Sequence, residues 1–380
     1  MNKKPDYFLL TIVAILIILG IIILAGVSAP YSQQRFGNTY YFLKHQIIYG
    51  LIPGLILGLI AFKINLNTLK KWSPYLFLAN LILLILVFIP GLGLTLSGAS
   101  RWLNLHFFSF QPSEFLKLTF ILYLANWLSA HLFTVDLSTN KNKQKVYQIK
   151  ADFKQIFLGF FAILGIISLI LIAQPDISTL GIIAITALLM YFSIKTPLSH
   201  SLLLSFIGLA GLIVLIKTAA YRLNRILVFF NPDIDPMGIG YQLKQALIAI
   251  GSGGITGVGL GVGQQKFLPN VLLQPISDSI FAIFAEETGL LGSVFLIFLF
   301  LIFLWRGIKI SKGAKNSFGQ LTALGITVWL TFQAFLNIGA MIGIFPLTGV
   351  PLTFISYGGT ALVASLIGIG ILLNISRQTT

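Results

Sequence analysis

The sequence predicts an all-α integral membrane protein of about ten transmembrane helices, with one long extracytoplasmic loop between the seventh and the eighth. Three observations lead there. Of 380 residues, 57% are hydrophobic and only 9% are charged, whereas a soluble domain holds roughly 25% charged residues. Mean hydropathy is +0.94. Apolar runs near the ~20 residues needed to cross a bilayer as a helix recur from end to end. No polar tract is long enough to fold separately, so residues 1–380 read as a single polytopic domain. The absence of cysteine excludes disulfides and thiolate metal sites, and no nucleic-acid partner is expected.

The apolar runs place spans at approximately 7–29, 46–62, 73–90, 112–133, 156–173, 178–194, 199–217, 278–305, 319–341 and 355–375. With the amino terminus inside, the inner segments hold Lys3 and Lys4, Lys63, Lys70 and Lys71, Lys141 to Lys154, Lys195, Arg306 to Lys315, and Arg377. Nearly every inner loop is then basic, which sets the orientation and puts both termini in the cytoplasm. Val27-Ser28-Ala29 has the look of a cleavage site, but the apolar stretch before it is about 20 residues, longer than a signal h-region. A retained first helix is expected.

Two loops stand apart by length. The inner one, about 134–155, is polar and reads as a solvated, mobile connector, or as a patch attracted to anionic lipid headgroups. The outer one, 218–277, is longer than a helix connection requires, and long loops of this kind are usually functional or disordered. It reads as a basic segment (Tyr221 to Arg225), a proline-bounded turn (Asn231 to Pro236), a short amphipathic helix around Gln245 to Ile250, and a glycine-rich loop from Gly251 to Gly263. That loop lacks the Gly-Lys-Ser/Thr ending of a nucleotide-binding P-loop. Either its glycines serve a tightly packed turn or its backbone touches an anionic ligand.

Four polar clusters interrupt the apolar pattern. The first is Asp278, one of ten acidic residues in the chain, set where the outer loop meets the eighth span. An ionisable group at a membrane boundary marks a functional site by default. Glu286 and Glu287 follow two turns later, one of them placed to bond a neighbouring helix or the loop. The second joins Arg101 and Trp102 to Gln111, Ser113, Glu114 and Lys117. Glu114 and Lys117 share a helix face and can pair; the pair either anchors packing or faces a cavity. The third is Gln174-Pro175-Asp176, where Asp176 is a helix N-cap or a site residue. The fourth, Phe345 to Gly359, includes Ser356 and breaks the backbone beside the last span. By this topology the clusters share the outer half, with Arg101, Lys117, Arg222, Arg225 and Lys266 around few carboxylates. Convergent cations suit a phosphate or diphosphate, and on the outer face that chemistry belongs to a lipid-linked, phosphorylated substrate.

These clusters resemble those of the SEDS family (shape, elongation, division and sporulation) of bacterial cell-wall proteins, typified by FtsW and RodA. The matching stretches are Gly98-Ala99-Ser100-Arg101-Trp102, Gln111-Pro112-Ser113-Glu114 with Lys117, Gln174-Pro175-Asp176, Asn231-Pro232 through Gly240-Tyr241-Gln242, Ile248 to Gly254, Asp278-Ser279-Ile280-Phe281-Ala282 with Glu286-Glu287, and Ile355-Ser356-Tyr357-Gly358-Gly359. They cover nearly the whole chain, in order. The resemblance implies ten helices and a peptidoglycan glycosyltransferase that polymerises lipid II outside the bacterial cytoplasmic membrane. It implies a class B penicillin-binding protein as partner, among divisome or elongasome proteins. The family's essential aspartate maps onto Asp278, as the base that takes the proton from a sugar 4-hydroxyl. Cationic side chains, or a divalent cation such as Mg or Mn, would stabilise the departing diphosphate. One departure is local: Gln274 stands where the family commonly has glutamate. Ser279 and Phe332-Gln333-Ala334 leading to Asn337 look FtsW-like, while Phe108 to Gln111 has a RodA flavour; division is the expected role. The competing functions are a lipid II flippase and a non-catalytic scaffold.

Overall fold

The computed structural model describes residues 4–96, 99–104, 109–136, 145–149, 153–194, 198–218, 220–234, 238–267 and 276–378. Helices coincide with all ten expected apolar stretches. They are α1 (Tyr7–Phe36), α2 (Tyr41–Lys63), α3 (Leu66–Leu86), α4 (Pro112–Ala130), α5 (Phe153–Ala173), α6 (Ile177–Phe192), α7 (Leu198–Lys217), and, beyond the outer loop, α10 (Ile280–Gly313), α11 (Ser317–Met341) and α12 (Gly359–Ser376). Six of them, α1 to α3 and α10 to α12, are long and apolar enough to cross a membrane, and α5 and α6 contain shorter apolar helices. Two further helices, α8 (Ala220–Phe230) and α9 (Ile239–Ser252), lie in the outer loop.

The centre of the bundle is α11 and α12, whose apolar windows are 78% buried against 28–39% for α1, α2, α3 and α10. Close approach explains how α2 packs on α12. A Cβ on Gly58 would lie 2.8 Å from Leu366 O, and one on Gly370 would lie 2.1 Å from Gly58 O. Small residues let two backbones meet where lipid offers no hydrophobic drive. One end of the bundle is tied by polar contacts between distant segments. The Asp6 side chain caps α1 at Leu9 N (3.0 Å) and accepts from Arg306 Nε (2.6 Å), while its backbone N–H donates to Ser376 Oγ (3.0 Å). Both termini therefore share one face, as the loop charges require, and Asp278 lies at the other end of α10.

The structure departs from the expected pattern in four places. The polar inner connector includes an antiparallel strand pair, β4 (Leu132–Asp136) with β5 (Lys145–Ile149). A three-stranded meander, β1 (Gly93–Leu96), β2 (Ala99–Asn104) and β3 (Ser109–Phe110), follows α3. Backbone at a membrane boundary must pair with something, and a short meander satisfies it locally. In the outer loop the basic segment is itself the helix α8. The helix read at Gln245–Ile250 begins at Ile239 and buries Gln242, Leu243, Ala246 and Ala249, a stripe at helical spacing. Finally, α10 is two helices merged across Gly289, whose φ of 67° and ψ of −163° are not helical.

That break explains the glycine-rich loop. Val258 N and Gly259 N donate to Glu286 O (3.0 Å) and Glu287 O (3.1 Å), while Leu290 N and Leu291 N donate to Gly254 O (2.9 Å) and Ile255 O (3.1 Å). The loop thus completes the backbone bonds that the break leaves open. Gly257 and Gly289 meet face to face: a Cβ on Gly257 would lie 2.2 Å from Glu287 O, and one on Gly289 2.3 Å from Gly257 N. Both also have positive φ, so no other residue fits either place. Of the two readings of this loop, the structure realises the packed turn, because these amides are spent on the helix.

Candidate active site

Asp278 occupies a turn just ahead of α10, and its position is set through the backbone. Three consecutive carbonyls are held: Ile276 O by Tyr357 N (2.8 Å), Ser277 O by Ser356 Oγ (2.5 Å) and Asp278 O by Asn337 Nδ2 (2.8 Å). From the outer loop, Gln242 Nε2 donates to Ser279 Oγ at 3.2 Å. The carboxylate is treated differently. Its Oδ1 is fully buried and has no hydrogen-bond partner among the described residues. Burial pushes the Asp278 carboxyl up to about 6, against the opposing pull of nearby backbone N–H groups and of the Arg225 guanidinium.

The wall facing Asp278 is the broken segment between α11 and α12. A Cβ on Gly349 would sit 3.7 Å from Asp278 Oδ2. This segment has almost no regular structure, yet its carbonyls are engaged by side chains from three helices. Arg225 Nη1 of α8 donates to Leu347 O (3.2 Å) and Ser178 Oγ of α6 to Thr348 O (2.6 Å). From α11, Asn337 Nδ2 donates to Val350 O (2.7 Å) and Gln333 Nε2 to Pro351 O (3.1 Å). Phe354 adopts φ +66°, a left-handed backbone that L side chains rarely take, and such outliers gather at functional sites.

The other residues read from the sequence take distinct places. Glu114 and Lys117 form a buried pair at 2.8 Å, and Lys117 Nζ also donates to Gln333 Oε1 at 2.7 Å. The pair therefore anchors the glutamine that holds Pro351. Arg101 donates from Nε to Gln174 O (3.2 Å) and from Nη2 to Pro175 O, joining β2 to the turn before α6. Asp176 is the N-cap of α6, accepting from Thr179 N at 3.4 Å, with Oδ2 buried and without a hydrogen-bond partner among the described residues. Gln111 precedes α4 and donates to Ser113 Oγ (3.1 Å). Lys266 is buried against Glu287 at 2.6 Å, and Glu286 Oε1 accepts from Gln264 N at 2.8 Å. Arg222 reaches Thr218 Oγ1 at 3.2 Å. The structure brings Arg225 and Ser356 to Asp278 and links Lys117 and Glu114 to its wall through Gln333. It assigns Lys266 to the helix break instead. Gln274 lies outside the described residues.

Sequence reasoning passed over Gln333 and Asn337 as site residues, and also Ser178 and Gly349. Gln333 and Asn337 are amide side chains four apart in the second half of a largely apolar helix, which was the available signal. Chemically, the arrangement offers one buried carboxylate able to accept a proton near neutral pH, beside a guanidinium suited to an anionic group.

The model of the FtsW/RodA/SpoVE family, described as "Cell cycle protein", matches residues 7–380. Stage V sporulation protein E of Bacillus subtilis (strain 168) is 37% identical, over 100% of this chain and 98% of its own length. A protein of Coxiella burnetii named "Probable peptidoglycan glycosyltransferase FtsW" is 38% identical, over 96% of this chain and 94% of that one. Among solved structures, one described by the structural coordination of polymerization and crosslinking by a peptidoglycan synthase complex superposes with TM-score 0.75 at 26% identity, covering 98% of both chains. The Thermus thermophilus rod shape determining protein RodA gives TM-score 0.68 at 25% identity, covering 99% of this chain and 97% of that one. Fold, family model and full-length relatives agree: the chain belongs to the FtsW/RodA/SpoVE family.

Proposed function

We propose that this protein is a peptidoglycan glycosyltransferase of the FtsW type, which polymerises lipid II at the outer face of the cytoplasmic membrane during cell division. The observation that carries this reading is the half-buried Asp278, whose Oδ1 is buried without a hydrogen-bond partner among the described residues and whose carboxyl is raised to about 6. Relatives named peptidoglycan glycosyltransferase FtsW support the activity. The loop charges and the shared face of the termini support a multi-pass protein with both ends cytoplasmic.

In the proposed reaction Asp278 takes the proton from a sugar 4-hydroxyl as its oxygen attacks the anomeric carbon of lipid II. The glycosidic bond forms, the bond from the anomeric carbon to the diphosphate breaks, and undecaprenyl diphosphate leaves. Arg225 faces the charge that develops on the leaving group. Arg222, one helical turn earlier on α8, extends the cationic surface, Ser356 holds the Ser277 carbonyl of the turn, and Gln111 is a further proposed substrate contact. Arg101, Asp176, Glu114, Lys117 and Lys266 support substrate binding by holding the surrounding frame. Among the described residues no three acidic or histidine side chains gather. A magnesium or manganese ion, when bound, would supply charge stabilisation to the departing diphosphate. A class B penicillin-binding protein is the proposed partner, in line with the peptidoglycan synthase complex that this chain resembles.

Purified protein with its synthase partner and labelled lipid II tests the reading. Wild type is expected to form glycan polymer, and Asp278→Asn to lose about 10²–10⁴-fold in rate, the usual span of general base catalysis. Undiminished polymerisation by a folded Asp278→Asn protein would refute the assignment. The helix broken at Gly289 is also a feature of transporters; transbilayer movement of lipid II without polymer would select the flippase.

A further inference from the structure

The turn that carries Asp278 is held by Tyr357 and Ser356, and those two residues are in turn gripped by α2. Gln46 of α2 reaches both sides of Tyr357: Nε2 donates to Ser356 O (3.3 Å), and Oε1 accepts from Gly358 N (3.0 Å). Beside it, His45 Nδ1 and the Tyr357 hydroxyl share a hydrogen bond at 2.9 Å. Gln46 is buried, and the Tyr357 ring also packs edge-on to Phe42 with centroids 5.2 Å apart. Immediately after Gln46, α2 makes a single π-helical stretch, Ile47–Leu51, where Gly50 approaches Gly359 so closely that a Cβ would lie 3.1 Å from its Cα. Such π-bulges gather at functional sites because the inserted residue re-aims neighbouring side chains.

We propose that His45 and Gln46 are positioning residues for Asp278, acting through Tyr357. The path is short and continuous. The α2 side chains fix Tyr357, the Tyr357 N–H fixes Ile276 O, and the turn from Ile276 to Asp278 places the carboxylate. A base must lie within a fraction of an ångström of its productive place. Loosening Tyr357 therefore lowers the rate of the chemical step while leaving lipid II binding alone. The inference rests on Asp278 acting as the base.

Steady-state polymerisation of lipid II by the full chain with its synthase partner separates the possibilities. Tyr357→Phe removes one hydroxyl from a ring that stays packed, and His45→Ala removes its partner. Each is expected to lower kcat about tenfold with KM unchanged within about twofold. The double variant should lose no more than either single one, because both remove the same bond. His45→Asn, which returns an acceptor near the place of Nδ1, should recover most of the rate. A kcat for Tyr357→Phe equal to wild type would overturn the proposal, as would a loss confined to KM or additive losses in the double variant. Asp278→Asn is measured alongside. If it still polymerises, the base assignment fails; if it is inert while the α2 variants run at the wild-type rate, only the positioning role fails.

Discussion

Residues 280–288 form a half-helix whose two ends treat charge in opposite ways. At its carboxyl end Glu287 is buried with Lys266 at 2.6 Å, and Glu286 accepts the backbone N–H of Gln264. At its amino end the Asp278 backbone carbonyl is held by Asn337, and the side-chain oxygen Oδ1 has no hydrogen-bond partner among the described residues. The first end neutralises Glu287 on the spot and ties Glu286 Oε1 to the loop backbone, while Glu286 Oε2 is buried without a hydrogen-bond partner among the described residues. The second keeps a carboxylate poorly solvated, which raises its proton affinity. The Lys266–Glu287 pair beside a packed loop is thus a structural device here, and the proposed chemistry is assigned to the carboxyl whose proton affinity burial raises.

The largest effect on stability is expected at the paired end. Lys266→Met leaves Glu287 buried without its cation, and breaking a buried pair from one side destabilises by about 3–5 kcal/mol. Adding Glu287→Gln to the same protein removes the stranded charge and should restore most of the loss. Thermal melting of the purified protein in detergent gives both numbers. Unchanged melting of Lys266→Met would mean that the glycine loop docks without this pair, and the contrast between the ends would collapse.

The unpaired end should respond with the opposite sign. A carboxyl raised from 3.8 to about 6 favours the folded state only while protonated. Below pH ~4 there is no penalty; the penalty grows between pH ~4 and ~6 and is complete above that. The rise from 3.8 to about 6 corresponds to at most about 3 kcal/mol, less what the solvent reaching the half-buried side chain screens. Asp278→Asn should therefore stabilise the protein at pH 8 and lose that advantage near pH 4. The same shift predicts the acid limb of polymerisation, falling about tenfold per pH unit below about 6 as the base is protonated. A destabilised Asp278→Asn protein would show that this carboxylate is structural after all.

The contrast was only partly visible in the sequence. Apolar runs and lysine placement laid out the ten stretches and the common face of the termini, because both signals are local. The position of Asp278, a lone acid between a glycine-rich loop and an apolar span, was equally legible. The fate of Lys266 was not. The spacing of Glu114 and Lys117 already allowed their pair, but Lys266 looked free to meet an anion and is taken by a carboxylate 21 residues later. Which cation stays available depends on tertiary packing that periodicity does not record. The same holds for Gly289: a glycine in an apolar helix is common, and only the docked loop shows that the helix breaks there. Strands β1 to β5 escaped notice because short pairs between spans leave no long alternating pattern.

The smallest effect tests how the amino end is held. Asp278 is placed by several neutral hydrogen bonds from separate elements: Asn337 on α11, Ser356 and Tyr357 before α12, and Gln242 on α9 through Ser279. A neutral hydrogen bond contributes about 0.5–1.5 kcal/mol net, and bonds from independent elements share the task. Gln242→Ala should therefore destabilise by about 1 kcal/mol, well short of Lys266→Met, as read by the shift of the melting midpoint. Its polymerisation rate should stay within a few fold of wild type, because three backbone carbonyls of the turn remain engaged. A loss of rate as deep as that of Asp278→Asn would instead make the outer loop, through Gln242, the principal support of the base. The division of labour would then run between the loop and the bundle rather than between the two ends of the half-helix.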